Sequence, residues 1–181
     1  RREVYRELGG FSKMRFGEDI DFSYRIVEAG YKTALLPEAW VYHKRRTDLR
    51  KFFRQVYNSG IARINLYKKY PNSLKLVHLL PAAFTAGTAF LLLASLGGLL
   101  AWCMGGNIRW ALLPLLPLLV YALLVGLDAA RCNRSLRIGL LAVGAAFVQL
   151  TGYGTGFLWA WWQRCIRGKG EFGAFEKTFY Q

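Results

Sequence analysis

The chain has 181 residues, 54% of them apolar, with 25 Lys and Arg against 11 Asp and Glu and a formal net charge of +14. Residues 1–75 hold 17 of the basic residues and 8 of the acids, while the remaining 106 hold 8 and 3 between long uncharged stretches, so a basic head precedes a lipid-compatible tail. The cysteines Cys103, Cys132 and Cys165 are odd in number and lack CxxC spacing, which excludes a disulfide framework or a zinc site and leaves them expected as small buried hydrophobes.

The chain opens on Arg1 with no signal peptide. The roughly 45 residues ahead of the basic linker are too few to bury a core of their own. Both features suggest a fragment of a longer protein. Glu3 to Leu8 reads as a short helix and Gly9-Gly10-Phe11 as the turn that follows it. Gly17 precedes a helix over Glu18 to Ala29, ended by Gly30 in the favoured C-terminal position, with Ile20, Tyr24 and Val27 (flanked by Phe22 and Ile26) as its apolar face. Tyr31–Leu36 and Ala39–Tyr42 read as short strands separated by Pro37-Glu38.

Glu18, Asp19 and Asp21 cluster in the first turn of that helix. Two readings stand side by side. Acids at a helix start complement the dipole and the free amides. Three acids, a preceding Gly17 that permits close approach of a ligand, and Arg25 one turn on to orient a carboxylate also suit an acid–base site.

Thr47 to Tyr70 forms a linker helix with Thr47 as N-cap and Pro71 as its stop. Leu49, Phe52, Phe53, Val56, Tyr57, Ile61 and Ile64 recur at three- and four-residue spacings among Arg50, Lys51, Arg54, Arg63, Lys68 and Lys69. Such a helix fits the plane of an anionic membrane surface. Because it runs straight into an apolar segment, lipid is the expected partner and nucleic acid is not.

Three apolar runs follow: Leu79 to Ile108, Trp110 to Leu127 with Pro114 and Pro117, and Ile138 to Trp162. They predict membrane helices at about 78–104, 110–128 and 138–163. Ten Lys or Arg between Lys44 and Lys75, against the single acid Asp48, put the head on the cytoplasmic side; Arg131, Arg134 and Arg137 agree. The tail, with Arg164, Arg167, Lys169 and Lys177, lies outside if the third run crosses fully, as its length favours. A kink or re-entry at Gly152-Tyr-Gly-Thr-Gly156 would return it to the head.

The ordered set Gly9-Gly10-Phe11, Gly17-Glu18-Asp19-Ile-Asp21-Phe-Ser-Tyr-Arg25, Gly30-Tyr31 and Val41-Tyr-His43 resembles the C-terminal half of family 2 glycosyltransferases of the GT-A fold. The basic helix and apolar runs resemble its membrane-attached bacterial members, which build cell-surface polysaccharide. The resemblance implies an α/β fold for residues 1–46 (the C-terminal portion of a Rossmann-like domain), an interfacial linker over 47–75, an all-α transmembrane region over 76–163, and a polar tail over 164–181.

It further implies inverting transfer from a nucleotide-diphosphate sugar to a glycan or lipid-linked glycan hydroxyl at the bacterial inner membrane. Asp19 is then the general base and Glu18 the acceptor ligand, with Gly10, Asp21, Arg25, Arg46, Gln55 and Arg63 on the substrate side, Asp21 orienting the loop or Arg25 rather than reacting. A divalent cation, Mg2+ or Mn2+, would be held mainly by an upstream Asp-x-Asp motif, with His43 as a late ligand. Gln55-Val-Tyr-Asn58 lacks the Arg and Trp of the processive Gln-x-x-Arg-Trp motif, so single-sugar addition is favoured. The competing reading is a non-enzymatic membrane protein whose basic head docks to anionic lipid or a partner. A small transporter would need charge within the membrane, and Asp128 lies only at a segment's end.

Overall fold

The computed structural model describes residues 1–43 and 48–171. Its helices are α1 (Arg2–Glu7), α2 (Glu18–Glu28), α3 (Leu49–Lys69), α4 (Leu80–Cys103), α5 (Arg109–Leu112), α6 (Leu116–Asn133) and α7 (Leu136–Trp161), with short 3-10 turns between some and a π turn, Trp162–Ile166, after α7.

No strand forms among the described residues, which overturns the α/β, Rossmann-like expectation for the head. Residues 31–43 run as exposed, irregular chain: Leu35 is 91% exposed, Val41 85% and Tyr42 93%. Strand propensity is realised only through cross-strand partners, and none of the described residues supplies one. The apolar face expected on α2 is displaced in part. Tyr24 and the flanking Phe22 and Ile26 are half-buried as expected, but Ile20 and Val27 are exposed, and Asp21 is fully buried with Arg25 half-buried beside it. A charged network, described below, decides which side of α2 turns inward.

Asp48 caps α3, its carboxylate accepting from the amides of Arg50 (2.7 Å) and Lys51 (3.2 Å). The expected cap, Thr47, lies outside the described residues. The carboxylate adds an anion at the positive end of the helix dipole, which a hydroxyl does not. Tyr70 is extended (φ −128°, ψ 86°), as a residue before proline must be, and so α3 stops ahead of Pro71.

Three helical stretches are long and apolar enough to cross a membrane: Leu76–Cys103, Arg109–Asn133 and Leu136–Ile166. Pro81 sits in the first turn of α4, where its missing N–H costs nothing. Pro114 and Pro117 break the second stretch into α5, a 3-10 turn and α6, each proline removing an amide from the α-helical ladder. Cys103 and Cys132 are exposed at helix ends and Cys165 is half-buried, so the expectation of buried thiols fails for the first two.

Helix α7 is continuous through Gly152-Tyr-Gly-Thr-Gly156. The glycines are points of close approach. A Cβ on Gly152 would stand 2.5 Å from Val56, one on Gly156 2.0 Å from the Tyr57 carbonyl oxygen, and one on Gly154 2.3 Å from the Pro81 carbonyl oxygen. Gly60 reciprocates from α3, where a Cβ would meet the Tyr153 carbonyl oxygen at 2.2 Å. With Phe53 and Val56 beside Gly152, Tyr57 beside Gly156 and Asn65 beside Arg164, α3 and the second half of α7 run side by side in the same direction.

The buried core, Ile61, Ile64, Ala82, Phe157 and Ala160, lies at this seam. One face of α3 therefore packs on protein rather than on lipid. The first half of α7 packs on α6 through Gly126 and Gly139. Phe84, Tyr121 and Phe147 cluster where α4, α6 and α7 meet. Beyond α7, Arg164 donates to the Asn65 side chain and Asn65 donates to Glu171 (3.4 Å), so the start of the polar tail sits against α3, with the head. The glycine-lined face of α7 is the groove that seats α3.

Candidate active site

The head is built around one carboxylate. Asp21, fully buried, accepts from Arg25 Nε (3.1 Å), Lys69 Nζ (2.5 Å) and Tyr70 Oη (2.9 Å). Burial alone pushes its carboxyl up, and the hydrogen bonds from Lys69 and Tyr70 lead the contacts that more than offset that, holding it below the ordinary 3.8. Tyr70 responds in the opposite sense: burial and the Asp21 carboxylate push its phenol up. Tyr24 stacks on Tyr70 at 4.8 Å.

Arg25 carries the network to the Gly-Gly-Phe turn, donating to the carbonyl oxygens of Leu8 and Gly10 (2.5 Å to the latter). Gly10 is buried with φ +67°, and a Cβ there would stand 2.6 Å from the Tyr5 hydroxyl, so only glycine fits. Tyr5, Phe11 and Phe22 pack edge-on beneath the turn at 5.3–5.9 Å. Gly10, Asp21 and Arg25 thus bond to one another and to α3; they set the position of α2 and of the turn.

This leaves Glu18 and Asp19 at the free edge of the same helix start. Gly17, in the left-handed region (φ +85°), presses against α3, where a Cβ would meet Ala62 at 3.3 Å. Glu18 is half-buried and Asp19 exposed, its Oδ1 accepting from the Ile20 amide at 2.8 Å. Both open onto a cleft of about 470 Å³ whose other walls include Arg15, Gln55, Asn58, Ser59 and Arg63, with Tyr153 from α7. The cleft brings Arg15 and the two carboxylates from the segment 15–20 together with Gln55, Asn58, Ser59 and Arg63 from α3. Carboxylates and cationic donors in one cleft suit proton transfer from a hydroxyl beside a polyanion.

Of the residues singled out from sequence, the structure brings Glu18, Asp19, Gln55 and Arg63 into this cleft, whereas Gly10, Asp21 and Arg25 lie behind it. His43 is exposed on the irregular chain. Arg46 lies outside the described residues, as do Lys44 and Arg45. No group of three or more His, Cys, Asp or Glu among the described residues is placed to hold a metal ion, so His43 has no companion ligands there.

Sequence reasoning missed Asn58, Ser59, Lys69, Tyr70 and Tyr153. Asn58 and Ser59 follow Gln55 at helical spacing and were findable. Tyr153, one of few polar side chains in its apolar run, is bracketed by the glycines that seat α3. Nothing local marks Lys69 or Tyr70 as the partners of Asp21.

The family model described as glycosyl transferase family group 2 matches residues 1–125. Among curated proteins, the pre-mycofactocin glycosyltransferase of two Mycobacterium tuberculosis strains is 39% identical over 64 residues, which is 34% of this chain and 14% of that protein. The O-antigen chain rhamnosyltransferase WbaN of Salmonella anatum is 36% identical over 62 residues, 34% of this chain and 20% of that protein. The chain thus matches a fifth or less of these relatives' length. No solved structure matches it. With the family model covering well over half of its residues, the chain belongs to glycosyl transferase family group 2.

Proposed function

We propose that this chain carries the acceptor side of a sugar-transfer site, in which Asp19 takes the proton of an acceptor hydroxyl as that oxygen attacks the anomeric carbon of a nucleotide-diphosphate sugar, inverting it. The observation that carries this reading is the division of labour among the three acids. Asp21 is buried and saturated by Arg25, Lys69 and Tyr70, whereas Asp19, two residues earlier, faces an open cleft. A general base must reach its substrate within about 2.6–3.2 Å, which a solvent-facing carboxylate at a cleft edge can do and an enclosed one cannot.

Glu18 binds acceptor hydroxyls beside it. Gln55 and Arg63, which line the same cleft from α3, receive the leaving diphosphate, whose developing charge needs cationic and hydrogen-bonding partners. The described residues do not fit a divalent cation; in this reading the cation is held by other residues and no step here runs through it. Glycosyltransferase relatives named for O-antigen chain and pre-mycofactocin work support acceptors of the glycan or glycoside kind, added one sugar at a time in cell-envelope synthesis. The three apolar stretches support a multi-pass position in a bacterial inner membrane, and the basic α3 supports a cytoplasmic head.

The experiment is the anomeric configuration of the first-formed product, read by proton NMR coupling constants with a donor of known configuration. Inversion is the expected result, and retention would overturn single displacement by an Asp19-activated hydroxyl.

A further inference from the structure

The cleft is not made by the head alone. Tyr153 stands in the middle of α7, a stretch apolar enough to cross a membrane, yet its side chain lines the cleft that holds Asp19. Its position is tightly set. The Tyr153 carbonyl lies where only a glycine, Gly60, can face it, and its neighbours Gly152 and Gly156 are pressed on Val56 and Tyr57. The Tyr153 ring stacks at 6.4 Å on Phe157, a buried member of the core.

Arg63 and Tyr153 line the same cleft, and the buried Arg63 Nε has no hydrogen-bond partner among the described residues. A buried cationic donor left unpaired is costly, and the group that relieves it best is an oxyanion.

We propose that Tyr153 is a substrate-binding residue: with Arg63 it forms a paired donor set for a diphosphate ester, received where the head meets the membrane helices. The inference rests on the reading of the cleft given above and deepens it. Two substrates carry this chemistry, the nucleoside diphosphate of the donor and a diphosphate-linked lipid in the bilayer. In either case the seating of α7 on α3 sets the distance between the anion site and Asp19.

The test uses the full chain in phosphatidylcholine nanodiscs, with calorimetric titration of inorganic pyrophosphate, of uridine diphosphate, and of a polyprenyl diphosphate carried in the bilayer. Tyr153→Phe should weaken pyrophosphate binding about 5–10-fold through loss of one hydrogen bond to an anion, and Arg63→Gln at least about tenfold. The double variant should fall within about threefold of Arg63→Gln alone, because both groups serve one anion. Tyr121→Phe, in the aromatic cluster away from the cleft, should bind as wild type. In turnover, Tyr153→Phe should raise KM for the substrate whose diphosphate it holds and leave kcat within about twofold.

With the pyrophosphate loss present, a matching loss for uridine diphosphate but not for the polyprenyl diphosphate assigns the donor, and the reverse assigns the lipid; either supports the site. Unchanged pyrophosphate affinity in Tyr153→Phe, strictly additive losses in the double variant, or no pyrophosphate binding by the wild type would overturn it. None of these outcomes bears on Asp19, whose role is tested by transfer itself.

Discussion

Replacing Asp21 by Asn keeps its size and removes its charge, leaving Arg25, Lys69 and Tyr70 facing a neutral amide. Hydrogen bonds to a charged group are worth about 1.5–3 kcal/mol each. The Arg25 contact, 21% exposed, keeps most of that value, whereas Lys69, 43% exposed, is discounted by solvent. Asn retains an acceptor for Tyr70, so the net loss is about 3 kcal/mol, within the range for breaking a buried pair. That loss falls on the local opening of α2 and the end of α3. Amide hydrogen exchange across residues 18–28 and at Lys69 and Tyr70 should therefore accelerate on the order of 100-fold.

The pH dependence has a defined sign. The Asp21 carboxyl is held below 3.8 in the folded state, so its contribution is present above about that pH and is lost as pH falls through the lower folded value. Corrected for intrinsic exchange, wild-type protection of α2 should be flat from about pH 7 to pH 4 and fall below it. The Asn variant should start lower and lack that acid limb. Equal exchange in the two proteins at neutral pH, or the same acid limb in both, would refute the placement of Asp21 at the centre of the head.

Other outcomes follow from the same contacts. Gly60→Ala and Gly156→Ala each drive a methyl into backbone across the α3–α7 seam, and each should cost about 1–3 kcal/mol in detergent unfolding. Gly144→Ala, with nothing within 4 Å of its Cβ, should be neutral or stabilising by up to about 1 kcal/mol. Glu171 is pushed up by burial, partly countered by Arg164, so its contribution to tail docking is full below the ordinary 4.5 and is lost as pH rises through the raised value. Glu171→Gln should abolish that dependence, and exchange at the Lys169 amide, which donates to the Gln163 carbonyl oxygen (3.0 Å), reads it.

What could be read directly from the residues was what local physics decides. Charge-free runs over 20 residues long become helices of spanning length because backbone groups in apolar surroundings must bond within the segment. Gly17 and Gly30 bound α2 because both adopt positive φ.

The failures share a cause in long-range pairing. The segments at 31–36 and 39–42 have strand composition without a partner strand among the described residues. The side of α2 that turns inward was only partly legible because Asp21 reads as polar until Lys69 and Tyr70, remote in sequence, are brought to it. The glycines of α7 looked like a break in a helix, whereas their lack of side chains admits a second helix. In the site, the carboxylates and their spacing were legible. Which of the three was buried and which was free was not.

The most direct measurement is single-turnover sugar transfer by Asp19→Asn in the full chain, with donor binding measured in the same preparation. Transfer should fall at least about 100-fold, the scale of general-base catalysis, with donor affinity and α2 exchange protection unchanged. Transfer at near wild-type rate, with the protein folded and the donor bound, would contradict the base role of Asp19.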